Sequence, residues 1–169
     1  FGIQIAKLYG CTVIATASPE KLEQLKELGA DYAVDHRKDD WHKEVRAITK
    51  EIVKLNGGSP GIDVIFEHIG GSHFNKELTL LKYGSTMVTT GATTGYDAPA
   101  DLRHIFFKGI NILGSTQGTR AELEEGFHWM GQGKIKVIID SVFTFENAVD
   151  AHEKMLNGKG LVGKIILKP

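Results

Sequence analysis

The residues most suited to chemistry in this chain are its histidines, acids, serines and lone cysteine. His68 and His73 sit beside Glu67 and Asp63, a set whose types could hold a metal ion. Their spacing matches no standard zinc pattern, no cysteine lies nearby, and alternate residues of an extended segment point to opposite faces. No metal site is therefore expected within the chain. His68 could shuttle a proton, but nothing near it reads as a nucleophile with an orienting partner. Ser85, Ser115 and Ser141 lack a nucleophile-elbow context. Cys11 stands at the head of an apolar run and reads as a small core residue. No residue is assigned a catalytic role.

The elements that would position these residues alternate in type. Phe1, Ile5 and Leu8 share one helical face, and Gly10 suits a left-handed helix end. Residues 12–16 are β-branched and apolar, as in a strand buried on both faces. Ser18 and Pro19 supply an N-cap and a first-turn proline for a helix over 20–28. The periodicity predicts further strands at 32–34, 63–67, 86–90, 110–114, 135–139 and 162–167. It predicts helices from Asp39 or Asp40 to about Leu55, with Val45, Ile48, Ile52 and Leu55 inward, and over 74–81, 120–130 and 145–156. Tyr83-Gly84 reads as a turn, and residues 91–99 as a polar loop.

Short apolar strands alternating with helices define an α/β fold, a doubly wound parallel sheet covered on both faces. Ligands of such sheets lie beyond the carboxyl ends of the strands. That directs attention to residues 16–18, His36-Arg37, residues 67–71, Gly91-Ala92 and residues 114–117. These segments are rich in Gly, Ser, Thr and His, which suits ligand contact and equally suits the turns of any α/β protein.

Composition narrows the field. The 169 residues are 41% hydrophobic and 24% charged, with a net charge of -1, the balance of an ordinary globular domain. Lys and Arg are scattered, which excludes a global electrostatic case for nucleic acid or an anionic membrane. No apolar run approaches the roughly 20 residues that span a bilayer. A single cysteine cannot form an internal disulfide, and a reducing, cytoplasmic compartment fits best.

Several motifs, in order and spacing, resemble the medium-chain dehydrogenase/reductase superfamily, in its zinc-containing alcohol dehydrogenase and quinone oxidoreductase branch. They are Ile3-Gln4-Ile5-Ala6-Lys7, Leu28-Gly29-Ala30-Asp31, the stretch 62–71 (IDVIFEHIGG), Leu113-Gly114-Ser115, residues 138–143, residues 148–152 and residues 163–169. The resemblance implies a Rossmann-like nicotinamide-cofactor domain over residues 1–117 and a returning segment of the catalytic domain over 118–169. It places the first strand and glycine turn of the cofactor domain before Phe1, so the chain reads as truncated there. The implied activity is hydride transfer to or from a small alcohol, carbonyl, quinone or enone. Zinc, if the longer protein uses it, would take its Cys, His and Glu ligands from outside this chain. Residues 135–169 are expected to expose apolar surface or pair with another copy, giving a homo-oligomer.

The cofactor preference rests on residues 16–21. An NAD site often carries an acid at the end of its second strand for the ribose hydroxyls. Here Thr16, Ala17 and Ser18 stand there, followed by Lys21, so a 2′-phosphate is accepted rather than repelled. NADP(H) is favoured over NAD(H), although Ser18 is also a good helix cap and Glu20 is close. By resemblance, His36 takes the place of a tyrosine against the adenine ribose phosphate. His68 and Ile69 would lie near the cofactor riboses, Gly91 and Ala92 beside the nicotinamide, and Ser115 and Thr116 at its carboxamide. Two other classes fit the fold: a non-catalytic member of the superfamily, and a methyltransferase binding S-adenosylmethionine.

Overall fold

Helix and strand alternate along the chain in the computed structural model, which describes residues 1–158 and 161–169. The elements fall into two units, one of residues 1–35 with 119–169 and the other of residues 36–118.

The first unit opens with α1 (Gly2–Leu8), which ends at Tyr9 before Gly10 turns the backbone at φ 72°. β1 (Ile14–Ala17) and β2 (Tyr32–Asp35) pair in parallel, with Thr16 opposite Val34. Between them Pro19 starts a short 3-10 turn that runs into α2 (Leu22–Glu27). Asp31 ties the start of this layer together. Its carboxylate accepts from Lys7 Nζ at 2.8 Å and from the Val13 amide at 2.8 Å. Burial differs from expectation in two places. No residue of α1 is buried, and Cys11 is exposed, because β1 starts three residues after it. The same unit holds α6 (Arg120–Gly131), β6 (Ile139–Thr144), α7 (Ala148–Asn157) and β7 (Lys164–Lys168). β6 and β7 pair in parallel. Gln4 joins α1 to the segment before β6 by a two-way bond with the Lys136 backbone, at 3.0 and 2.8 Å.

The second unit contains α3 (Trp41–Asn56), β3 (Ile62–Glu67), α4 (Gly71–Leu80), β4 (Leu81–Thr89), α5 (Leu102–Lys108) and β5 (Asn111–Gly114). Its sheet is parallel, in the order β3-β4-β5, with Ile65 opposite Met87 and Met87 opposite Ile112. One face carries the core. Leu78, Leu81, Met87 and Ile110 are buried, and Ile65, Phe74 and Ile105 pack against them. On the other face Val64 and Phe66 remain more than 60% exposed.

Local physics explains where the expected elements shift. α3 buries Trp41, Val45 and Thr49, one residue round from the expected stripe, and Leu55 is exposed. Thr49 tolerates burial because its hydroxyl donates to the Arg46 carbonyl at 2.9 Å. Tyr83-Gly84 is no loop between elements but an irregularity inside β4. Pairing with β3 begins at Leu81, slips, and resumes at Thr86, with Gly84 at φ 72°. α5 was not expected from periodicity. Asp101 caps it by accepting from the Arg103 amide, and Gly109 ends it in the left-handed region.

Candidate functional site

In the second unit, the carboxyl ends of three parallel strands are drawn together by a ladder that continues past the regular pairing. The Thr90 amide donates to the Glu67 carbonyl at 2.9 Å, and the Ser115 amide to the Thr89 carbonyl at 3.0 Å. The two following loops are then stitched to each other. The Thr93 amide and hydroxyl both donate to the His68 carbonyl, at 3.2 and 2.8 Å. The Thr94 amide and hydroxyl both donate to the Ile69 carbonyl, at 2.8 and 3.0 Å. The Gly71 amide closes the set on the Gly95 carbonyl.

Three glycines permit this approach. A Cβ on Gly71, at φ 52°, would meet the Thr94 hydroxyl oxygen at 2.8 Å. A Cβ on Gly70, which also has φ 72°, would meet the Gly95 carbonyl oxygen at 2.5 Å. A Cβ on Gly91 would stand 3.3 Å from the His68 carbonyl oxygen. The stitched loops expose backbone and small side chains at Gly91 and Ala92 and larger ones at His68 and Tyr96. Gly91, Ala92, Ser115 and Thr116 are exposed, His68 is exposed and Ile69 is half-buried.

Beneath the loops lies Glu67, 1% exposed at the end of β3. One carboxylate oxygen accepts from the Ile69 amide at 2.6 Å and from the Gly70 amide. The other accepts from the Thr89 hydroxyl at 2.9 Å. Its charge reaches two neighbours on α4. Burial, reinforced by the Glu67 charge, pushes the Glu77 carboxyl up to about 7, and Glu77 Oε2 is enclosed without a hydrogen-bond partner. Burial holds the His73 imidazole below its ordinary value, helped by His36 and Lys76 and opposed by Glu67.

His36 meets His73 edge-on, with ring centroids 5.8 Å apart, and His73 stacks on Trp41 at 5.5 Å. Among the sequence-derived candidates, His36 thus belongs to an aromatic trio in the second unit. In the first unit, Thr16 is exposed on β1, and Ser18 and Lys21 bracket the 3-10 turn. Ser18 stands at the cap position and is 7% exposed, but its hydroxyl makes no capping bond. The turn is closed instead by the Lys21 amide donating to the Ser18 carbonyl at 3.0 Å.

Glu67 and the threonine pairs Thr89-Thr90 and Thr93-Thr94 organise the loops; sequence reasoning placed Glu67 in a segment suited to ligand contact but not as an organiser, and gave the threonines no role. The readable signal was a strand-final acid followed by Gly70-Gly71, facing a hydroxyl-rich segment. Among the described residues, no three His, Cys, Asp or Glu side chains converge as a metal set. A groove lined by Tyr83, Asp101, Arg103, His104, Phe107 and Lys108 lies apart from these loops, and its Arg103 is committed to Asp101 at 2.8 Å.

Parallel strands alternating with helices, with loops gathered at the strand ends, make a Rossmann-like architecture. Residues 1–132 match the family model described as zinc-binding dehydrogenase, and the chain belongs to that family. It is 33% identical to a quinone oxidoreductase of Pongo abelii, over 97% of this chain and 49% of the relative. It is similar to an NAD-dependent alcohol dehydrogenase of known structure, with a TM-score of 0.85 and 34% identity, over 99% of this chain and 46% of that one. It also matches a 2-octenoyl-CoA carboxylase reductase solved with NADP and 2-octenoyl-CoA, at TM-score 0.81 and 25% identity, over 98% and 39%. The chain spans about half the length of the curated relatives it matches.

Proposed function

We propose that this chain supplies the cofactor-binding part of an NADP(H)-dependent oxidoreductase that moves hydride to or from a small alcohol, carbonyl, quinone or enone. Residues 1–117 are the dinucleotide domain in this reading, and 118–169 the returning segment of the catalytic domain. The observation that carries it is the stitched pair of loops at the ends of β3 and β4. Their hydrogen bonds hold the two loops to each other, and Gly91 and Ala92 stand exposed there, where a flat ring can approach the backbone.

His68 and Ile69 are assigned to the ribose on the nicotinamide side, Gly91 and Ala92 to the nicotinamide, and Ser115 and Thr116 to its carboxamide. Thr16, Ser18, Lys21 and His36 are assigned to the adenosine side. The Ser18 hydroxyl, uncommitted as a cap, and the Lys21 ammonium suit a 2′-phosphate. The cofactor, when bound, supplies the hydride; these residues bind and orient it. Zinc, where the longer protein uses it, is held elsewhere. A cytoplasmic location and a homo-oligomeric assembly complete the proposal; no helix among the described residues is long and apolar enough to cross a membrane.

NAD(H) is the second reading, favoured by the similarity to an NAD-dependent alcohol dehydrogenase. Titration of the chain with NADPH, NADH and S-adenosylmethionine, followed by tryptophan fluorescence and thermal shift, separates the readings. NADPH is expected to bind tightest. A preference for NADH overturns the 2′-phosphate assignment, and a response to S-adenosylmethionine alone overturns the oxidoreductase class.

A further inference from the structure

We infer that Glu67 is a positioning residue: its buried carboxylate holds the Ile69 and Gly70 amides and the Thr89 hydroxyl, fixing the two nicotinamide-side loops in one arrangement before any ligand arrives. The inference rests on the dinucleotide reading above and names the residue that pre-organises its nicotinamide half.

The geometry is that of a clamp. Glu67 is the last residue of β3, and its side chain reaches forward over its own loop and sideways to β4. The three bonds use both oxygens, and the Glu67 carbonyl meanwhile accepts from the Thr90 amide. Residues 67–70 are thus held at both the side chain and the main chain. The threonine stitches from Thr93 and Thr94 land on the carbonyls of His68 and Ile69, the peptide units that the carboxylate orients. Without the carboxylate, the Ile69 and Gly70 amides lose their acceptor, the Thr89 hydroxyl keeps only a 3.5 Å approach to the Gly91 carbonyl, and the loops lose the common point that sets their register.

Burying a carboxyl here has a cost that a purely structural turn would avoid. Glu67 raises the proton affinity of Glu77 and opposes the lowering at His73, so its charge is felt by two ionisable side chains on α4. Leu or Val would fill a strand end without that cost but could not accept from both amides. The acid is therefore accounted for by the loop it organises.

The test compares Glu67→Gln, Glu67→Asp and Glu67→Ala with the unsubstituted chain. Amide hydrogen exchange reads the loop, and fluorescence titration reads NADPH against adenosine 2′,5′-bisphosphate, which lacks the nicotinamide half. Glu67→Ala should speed exchange at Ile69 and Gly70, and weaken NADPH by ~10-fold or more, the scale of one buried charge-assisted hydrogen bond. Adenosine 2′,5′-bisphosphate should bind unchanged. Glu67→Gln, which keeps an acceptor oxygen, should recover most of the NADPH affinity. Equal losses for both ligands would reveal a general structural defect and overturn the inference, as would unchanged exchange at Ile69 and Gly70. Faster exchange with unaltered NADPH affinity would also overturn it while leaving the cofactor reading intact. If the unsubstituted chain binds neither NADPH nor NADH, the cofactor reading itself fails.

Discussion

Glu77 is the side chain whose behaviour departs most from its residue type. Its carboxyl sits near 7 rather than 4.5, chiefly through burial and secondarily through the Glu67 charge. The folded state therefore holds the proton more tightly than the unfolded chain does. Stability is full below about 4.5 and is lost as pH rises through about 7. The gap corresponds to an upper figure on the order of 3 kcal/mol, reduced in practice by relaxation around the group. Glu77→Gln should remove this slope. Urea unfolding between pH 5 and pH 8 would show a declining wild type and a flatter variant; parallel curves would sink the assignment. A surface acid makes the contrasting case. The Asp101 carboxyl is held down at about 2, mainly by the Arg103 side-chain hydrogen bonds. Arg103→Ala should raise its midpoint part of the way in an NMR titration, since the residue 103 amide still donates, and an unmoved midpoint would refute that cause. Neither value was legible in the sequence: Glu77 depends on its burial in the fold, and Asp101 on the helix start that turns Arg103, two residues on, back onto its carboxylate.

Elements were legible where the local signals agreed. Ser18-Pro19 marked the start of a helical segment and Gly29, at φ 103°, its end. α6 shows what a cap adds. Thr119 accepts from the Glu122 amide, and the Glu122 carboxylate accepts from the Thr119 amide at 2.6 Å, closing a capping box. The helix was expected from its pattern, but the box went unread although Thr119 and Glu122 carry its spacing. Thr119→Ala should cost about 1 kcal/mol and speed amide exchange in the first turn of α6. An unchanged exchange rate there would mean that water replaces the cap without loss. α5 escaped periodicity because it has only seven residues, with Phe106 and Phe107 both exposed. Its one core contact, Ile105, is flanked by exposed Phe106 and Phe107, so no stripe stands out, and only its Asp101 cap and Gly109 stop announced it. The slip in β4 was hidden for a different reason. Alternation predicts where a strand is, whereas register follows from which strand lies beside it.

On the scale of the whole molecule, strand neighbours were the least legible feature. The parallel α/β fold class expected from the pattern is borne out, whereas the neighbour order within the parallel sets β1-β2, β3-β4-β5 and β6-β7 was not readable from it. The candidate site followed the same division. Segments beyond strand ends were found by rule, but the Glu67 clamp and the threonine stitches needed pairing across loops 22 to 25 residues apart in sequence. What can be argued at this scale is charge. The acid-free tip of β1, followed by Lys21, is the basis for expecting NADPH over NADH. Ser18→Asp places a carboxylate where the 2′-phosphate is proposed to lie, exchanging a hydrogen-bond donor for a repelling charge. Loss of one hydrogen bond to a charged group is worth about 1.5–3 kcal/mol, so the NADPH to NADH affinity ratio should fall by at least ~10-fold. Lys21→Glu should act in the same direction, and more strongly at low salt because Lys21 is only half-buried. Fluorescence titration of both cofactors at two ionic strengths measures this directly. A ratio that neither substitution moves would assign the adenosine end of the cofactor to residues other than Ser18 and Lys21, whatever happens at the nicotinamide-side loops.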